Sequence, residues 1–448
     1  MKKTVNHILA AGLLALLSLA SCTDEFIEGN DLQGVDRDKR VEVRLPFGVG
    51  RGITTTITTR AAGGEIDYDS QLSGVMAFVY EAKSDNPEEN ELLAYHLFSN
   101  PSNKPLEGAT GGWIADNDDP TCGEIKFYVP VGDVYIYLLG NAQSSFLNFF
   151  PGVSGGDALG TQAEFFEKAT PKWNGNIHSV DGYLPLTGMV NNNTGLCHVN
   201  EQGQISYTDE EGKTHTLLPD GKHDEDNSFV LKRLMSKITM NIREGKGVKF
   251  TARDYTVRHI PHYVSPTAQA WTEEERDRIL VEDAKPVNFG LLDSLTFTIY
   301  LPENIRKVRP GVEITEYRQR DKVVKTADNK NTEETAPDDF HADNADNHKG
   351  HYKFEFAPKA STYIELTGWF ENADKTVAAD VRYYIHLGNF GKDLNHFSVE
   401  RDHHYTYNVT INGVDDIVVE VEDENEKTPG AEGVVFKHEF HLHLVKMG

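Results

Sequence analysis

The chain has 448 residues and is strongly acidic: 70 Asp and Glu against 44 Lys and Arg leave a formal charge of -26. That balance excludes nucleic-acid binding, which depends on neutralising phosphates with Lys and Arg, and only three cysteines exclude a disulfide-dense scaffold. The length suits two or three domains, each able to bury its own core.

The first residues read as a targeting segment. Lys2 and Lys3 precede an apolar run from Ile8 to Ala20, too short to span a bilayer as a helix and right for a cleaved signal. The run ends in "LASC", Leu19 to Cys22, which looks like a bacterial lipobox. Residues 1–21 are therefore expected to be removed and Cys22 acylated. Each buried CH₂ of an acyl chain contributes about 0.8 kcal/mol, and more than one chain gives stable anchoring. Residues 22–40, which include "TDEFIEGND", are acidic and read as a solvated tether.

From Val41 onward, short runs rich in Val, Ile, Tyr and Phe are separated by Gly and Asn turns. "ITTTITTRAAGG", Ile53 to Gly64, is a β-branched run that stops at Arg60 and four small residues. It reads either as a strand entering a loop or as a strand made to be cut off. Further strands are expected at Gly74–Ala82, Glu124–Gly132 and Asp133–Ala142, then at Ser228–Ile242, Ser294–Asn304, Tyr352–Pro358, Thr362–Phe370 and Val381–Gly388. The last are Tyr405–Gly413, Asp416–Glu422 and Val434–Val445. Helices are few and short: Thr161 with Glu164 and Thr272 with Glu275 have capping-box spacing. This pattern implies an all-β chain of sandwiches, not βαβ units. A polar stretch, Glu201–Asn227, places a domain boundary at its end, giving domains at 41–227 and 228–448. A second polar stretch, Asp321–Gly350, reads as a surface loop.

Little chemistry is legible. There is no G-x-S-x-G elbow, H-E-x-x-H helix or P-loop, so no catalytic, cofactor or metal site is expected. His441 and His443 share a strand face, which reads as a polar face opposite Phe440, Leu442 and Leu444. Cys122 and Cys197 can pair in an oxidising compartment or remain two inert thiols.

Several stretches together resemble the fimbrillin family, the lipoprotein pilins of type V pili. Besides the lipobox these are "VEVRLPFGVGRGITTTITTR" followed by "AAGGEIDYDSQLSGVMAFVYEA", and "VPVGDVYIYLLGNA", which looks like that family's P-x-G-x-Y hairpin. "RLMSKITMNI", "FTIYLPEN" and "VERDHHYTYNVTINGVDDIVVEVE" follow in the family's order. The resemblance implies two transthyretin-like β-sandwich domains in series. It also implies an Arg-specific protease that cuts after Arg60, leaving Ala61 as the new N-terminus, with Arg51 a second candidate site. The strand removed would come from Val41–Thr59, vacating the sites of Val43, Leu45, Ile53 and Ile57. A terminal strand of a neighbouring pilus subunit would then fill the groove, with Phe440, Leu442 and Leu444 the candidate donor. The implied location is the outer membrane, held by lipid and surface-exposed, and a fimbrium after processing, where the protein meets a host or bacterial surface ligand. Shaft, tip and anchor roles stay open. The alternative is a surface glycan-binding lipoprotein, which would bind sugar on exposed Trp or Tyr platforms; the four tryptophans, Trp113, Trp173, Trp271 and Trp369, form no evident cluster.

Overall fold

The computed structural model describes residues 36–50, 71–101, 109, 111–115, 121–142, 147–148, 159–168, 171–178, 183–190, 194–218, 228–266, 281–291, 295–306, 308, 311–325, 340–341, 351–391 and 393–423. Strands dominate them. The one α-helix among them, α1 (Gln162–Lys168), opens as its spacing predicts. The Glu164 amide donates to Thr161 Oγ1 at 3.2 Å, and Glu164 Oε2 accepts from the Thr161 amide at 3.1 Å. Thr272 and Glu275 lie outside the described residues.

The amino-terminal strands are β1 (Asp36–Val49), β2 (Gly74–Glu81), β3 (Leu92–Ser99), β4 (Trp113–Ala115) and β5 (Cys122–Gly140). They continue with β6 (Leu186–Met189), β7 (Leu196–Val199), β8 (Ile205–Thr208), β9 (Thr214–Thr216) and β10 (Phe229–Arg233). All belong to one ten-stranded sheet. Asp36 to Arg40, expected at the end of the tether, already form part of β1.

The expected hairpin around Pro130 and Gly132 is instead a single 19-residue strand. Its first half pairs antiparallel with β1, and its second half pairs antiparallel with β2. Gly132 has φ +129, which bends β5 without reversing it, and Val199 of β7 pairs across the bend. β1 also pairs with β10, β10 with β6, and β6 with the second half of β5, so these strands close a ring. Val43, Leu45, Phe47, Val75, Val79, Ile125, Val134, Ile136 and Leu231 pack inside it.

The polar stretch Glu201–Asn227 carries the hairpin of β8 and β9, which extends the same sheet through β7. The run Ser228–Ile242, expected as one strand, is two strands in different sheets. β10 stays with the first sheet, and β11 (Met235–Glu244) begins a second after Leu234.

The carboxy-terminal half stacks two four-stranded sheets. One has the order β13 (Thr296–Pro302), β11, β16 (His404–Ile411), β17 (Ile417–Asp423). In the other, a short Val287–Asn288 strand is followed by β12 (Val248–Arg258), β14 (Tyr363–Asn372) and β15 (Ala378–His386). Period-two alternation turns Ile238, Met240, Tyr405, Tyr407, Ile417 and Val419 inward against Tyr255, Val257, Ile364, Leu366, Tyr383 and Ile385. Tyr255 stacks on Phe297 across the two sheets at 3.9 Å between ring centroids.

The loop expected from Asp321 begins inside the fold. Asp321 is 3% exposed, and its carboxylate bonds the His386 ring at 2.6 Å. Beside it Arg320, fully buried, donates to the Leu387 and Leu394 carbonyls and lies 3.8 Å from the Phe397 ring centroid.

A pH dependence follows from the buried histidines. Burial drives His259 down to about 4 from an ordinary 6.5, although Asp283 pulls the other way. Burial also lowers His386 and His178. Because the unfolded chain binds these protons first, the stability concerned is complete above about pH 6.5 and is lost as pH falls toward 4. The His259 share is of the order of 3 kcal/mol. His403 opposes this: burial lowers it, but Asp423 and Glu400 together raise it above 6.5, so its contribution is complete below that value and fades as pH rises. His259 has φ 59, a conformation Asn tolerates. Thermal unfolding of His259→Asn between pH 7 and pH 4 should therefore show a shallower decline than the parent; equal slopes would contradict this assignment.

Candidate functional site

The site is the groove that β1 fills. Along the strand Glu42 is exposed while Val43, Leu45 and Phe47 are fully buried. Burial alternates from Glu42 to Leu45, which turns Val43 and Leu45 into the core, and Pro46, Phe47 and Gly48 beyond them are all buried. Val43 stands opposite Phe127, Leu45 opposite Ile125 and Phe47 opposite Gly123. The last pairing makes a pocket: the Phe47 ring meets Trp113 edge-on, with centroids 4.9 Å apart. A Cβ on Gly123 would lie 3.2 Å from Phe47 Cζ and 2.9 Å from the Ile114 carbonyl oxygen. Glycine there makes room for the ring. Burying each of these side chains is worth ~1.5–3 kcal/mol.

Polar contacts hold the outer face and both ends. Arg44 Nε donates to Glu124 Oε2 at 2.8 Å, tying β1 to β5. Lys39 Nζ reaches Glu201 at 2.6 Å, and this partner draws the Glu201 pKa down. The same β7–β8 turn presses on the strand, since Gly203 has φ +75 and a Cβ there would lie 2.1 Å from the Glu42 carbonyl oxygen. Gly203→Ala should therefore strain the turn and lift it from β1, at a cost of roughly 1–3 kcal/mol. Hydrogen exchange should show faster exchange at Glu42 to Arg44 than in the parent; unchanged protection there would contradict the contact. At the far end, the Val49 amide donates to the Thr121 carbonyl at 3.0 Å and the Gly50 amide to the Leu231 carbonyl at 2.8 Å.

Val43 and Leu45 thus sit where the sequence placed them, buried in the strand. Cys22, Arg51, Ile53, Ile57, Arg60, Ala61, Phe440, Leu442 and Leu444 lie outside the described residues. Phe47 was missed as a core position, although it continues the i, i+2 series of Val43 and Leu45. Gly203, Glu124 and Arg233 carry no local signal, because their roles arise from segments far apart in sequence.

Cys122 and Cys197 are not joined to each other. Cys197 pairs with Val134, twelve residues along β5 from Cys122. At about 3.3 Å per residue that is several times the Cα separation a disulfide spans. Cys197 is buried and burial pushes its thiol pKa up, so it is inert. His403 and His404 are engaged with Asp423 and Thr239. No group of three or more His, Cys, Asp or Glu side chains placed to hold a metal occurs among the described residues.

Residues 299–409, from β13 into β16, match the family model of a domain of unknown function, DUF4906. No curated protein matches the chain in sequence. Among solved structures it is similar to the tip fimbrial protein Mfa3 of Porphyromonas gingivalis, at 13% identity and TM-score 0.42, covering 86% of this chain and 99% of that one. It is also similar to a candidate cell-adhesion protein of Parabacteroides distasonis, at 10% identity and TM-score 0.40, covering 90% and 98%. A third, from Bacteroides eggerthii and likewise described as a candidate cell-adhesion protein, has 9% identity and TM-score 0.36, covering 92% and 97%.

Proposed function

We propose that this chain is a structural or adhesive subunit of a cell-surface fibre, exported as a lipoprotein through Cys22 and assembled by strand exchange in the groove of β1. Cleavage after Arg60 frees the strand, and a strand from a neighbouring subunit replaces it. The candidate donor is the segment carrying Phe440, Leu442 and Leu444. One observation carries this reading: β1 lies between two partner strands and buries Val43, Leu45 and Phe47 completely. It precedes the basic residue and small-residue run by only about a dozen residues. Backbone pairing with β5 and β10 would give an incoming strand affinity, and the pockets of alternate side chains would give it specificity.

In this reading the subunit sits at the outer surface, with an Arg-specific protease and other subunits as partners. The division into two β-sandwich domains belongs to this proposal too; a natural joint is Leu234, where the chain changes sheets. The glycan-binding reading lacks a tryptophan platform, because a flat aromatic surface needs neighbouring exposed rings. Trp173 is 2% exposed and Trp113 packs on Phe47, so Trp369, at 42%, is the exposed tryptophan among the described residues.

N-terminal sequencing of the subunit in purified surface filaments tests the proposal. Ala61 at the N-terminus is the expected result. A lipid-modified Cys22 on every copy within the filament would rule out strand exchange for this chain.

A further inference from the structure

We infer that Arg233 is the positioning residue that holds the trailing end of the strand in the groove and ties that end to the carboxy-terminal sandwich. The inference deepens the strand-exchange reading and rests on it for its biological meaning. Arg233 closes β10 and is 1% exposed. Its Nη1 donates to the Gly50 carbonyl at 2.9 Å and to Asp402 Oδ1 at 2.8 Å. The Arg233 amide also donates to Asp402 Oδ1, at 3.3 Å. Gly50 is the residue just beyond β1, and its amide is bound to Leu231 of β10. Asp402 lies in the turn that leads into β16, and its own amide donates to the Met235 carbonyl at the start of β11.

One guanidinium therefore joins three things: the end of the removable strand, the last strand of the first sheet, and a loop of the second half. Its Nη1 carries two protons, which serve the carbonyl and the carboxylate at once. When β1 leaves, the Gly50 carbonyl goes with it and water reaches a group that is now almost wholly buried. An occupant that puts a backbone carbonyl at that position restores the contact, and one that ends short of it does not. The node thus reads whether the groove is filled to its end, and it reports this at the joint between the two halves.

Removing Arg233 alone would strand a buried carboxylate, so the test replaces the pair by apolar groups of similar size. In full-length Arg233→Met, Asp402→Leu protein, amide hydrogen exchange at Val49 and Gly50 should be roughly tenfold to a hundredfold faster, the share of one charge-assisted hydrogen bond. Exchange at Val75 to Val79 of β2 should stay as in the parent. After cleavage at Arg60, the fragment ending there should leave the variant faster by a similar factor. Unchanged exchange at Val49 and Gly50 overturns the inference, as does equal acceleration at every amide. If exchange behaves as expected but the fragment never leaves the cleaved parent, the latch stands and the strand-exchange reading fails.

Discussion

Arg60→Ala is expected to abolish assembly while leaving export and folding intact. A protease needs an extended, accessible backbone, and the small residues Ala61-Ala62-Gly63-Gly64 that follow the arginine are of the type such a site favours. The reason for a cut lies in the energetics of the groove. Val43, Leu45 and Phe47 are fully buried, worth ~1.5–3 kcal/mol each, before the backbone pairs of β1 are counted. An incoming strand of similar burial would gain about as much, so exchange is close to even in free energy. While β1 stays covalently attached, its effective concentration at the groove is in the millimolar range for a short connection, and a neighbour's strand cannot compete. Cutting the chain removes that advantage and lets the released strand dilute away. The variant should unfold within about 0.5 kcal/mol of the parent, as substitutions remote from cores and caps do. Electron microscopy of cells carrying Arg60→Ala should show no filaments containing this chain. Filaments at the parental level would mean that "ITTTITTRAAGG" is only a strand entering a loop.

Phe47→Ala should destabilise the uncut protein by about 3–5 kcal/mol, the usual loss for emptying a buried aromatic site. The pocket is poorly able to collapse. Trp113 forms one wall, and the opposite position on β5 is Gly123, which has no side chain to move into the space. Urea unfolding followed by tryptophan fluorescence measures the loss, and a change below about 1 kcal/mol would show that the pocket contributes little. The same substitution separates the two states of the subunit. Under the proposed exchange the mutated residue would depart with β1 in an assembled fibre, so fibre stability should match that of the parent. A fibre weakened as much as the monomer would mean that β1 stays in its groove.

Sequence alone determined the class of fold and much of the strand inventory. Alternation of apolar and polar residues is a local property, fixed by the two-residue repeat of an extended chain. It is plain in His404–Ile411, while Gly74–Glu81, Thr296–Pro302 and Tyr363–Asn372 formed where their richness in Val, Ile, Tyr and Phe placed them. The capping box of Thr161 and Glu164 is local in the same sense. The burial of Val43 and Leu45 was legible too, and Phe47 would have been had the alternation been followed one step further. Tertiary structure decided which strands meet. Gly132 could have reversed the chain, but partners on both sides of the bend keep β5 continuous. Ser228–Ile242 reads as one strand, yet its two parts find different sheets on either side of Leu234. Asp321 looked like the start of a solvated loop until His386, 65 residues away, gave its carboxylate a buried partner. Arg233 bonds to Gly50 and Asp402, 183 and 169 residues distant. Such pairings depend on the spatial order of the whole chain, and an alternating sequence specifies a face without naming the partner that will cover it.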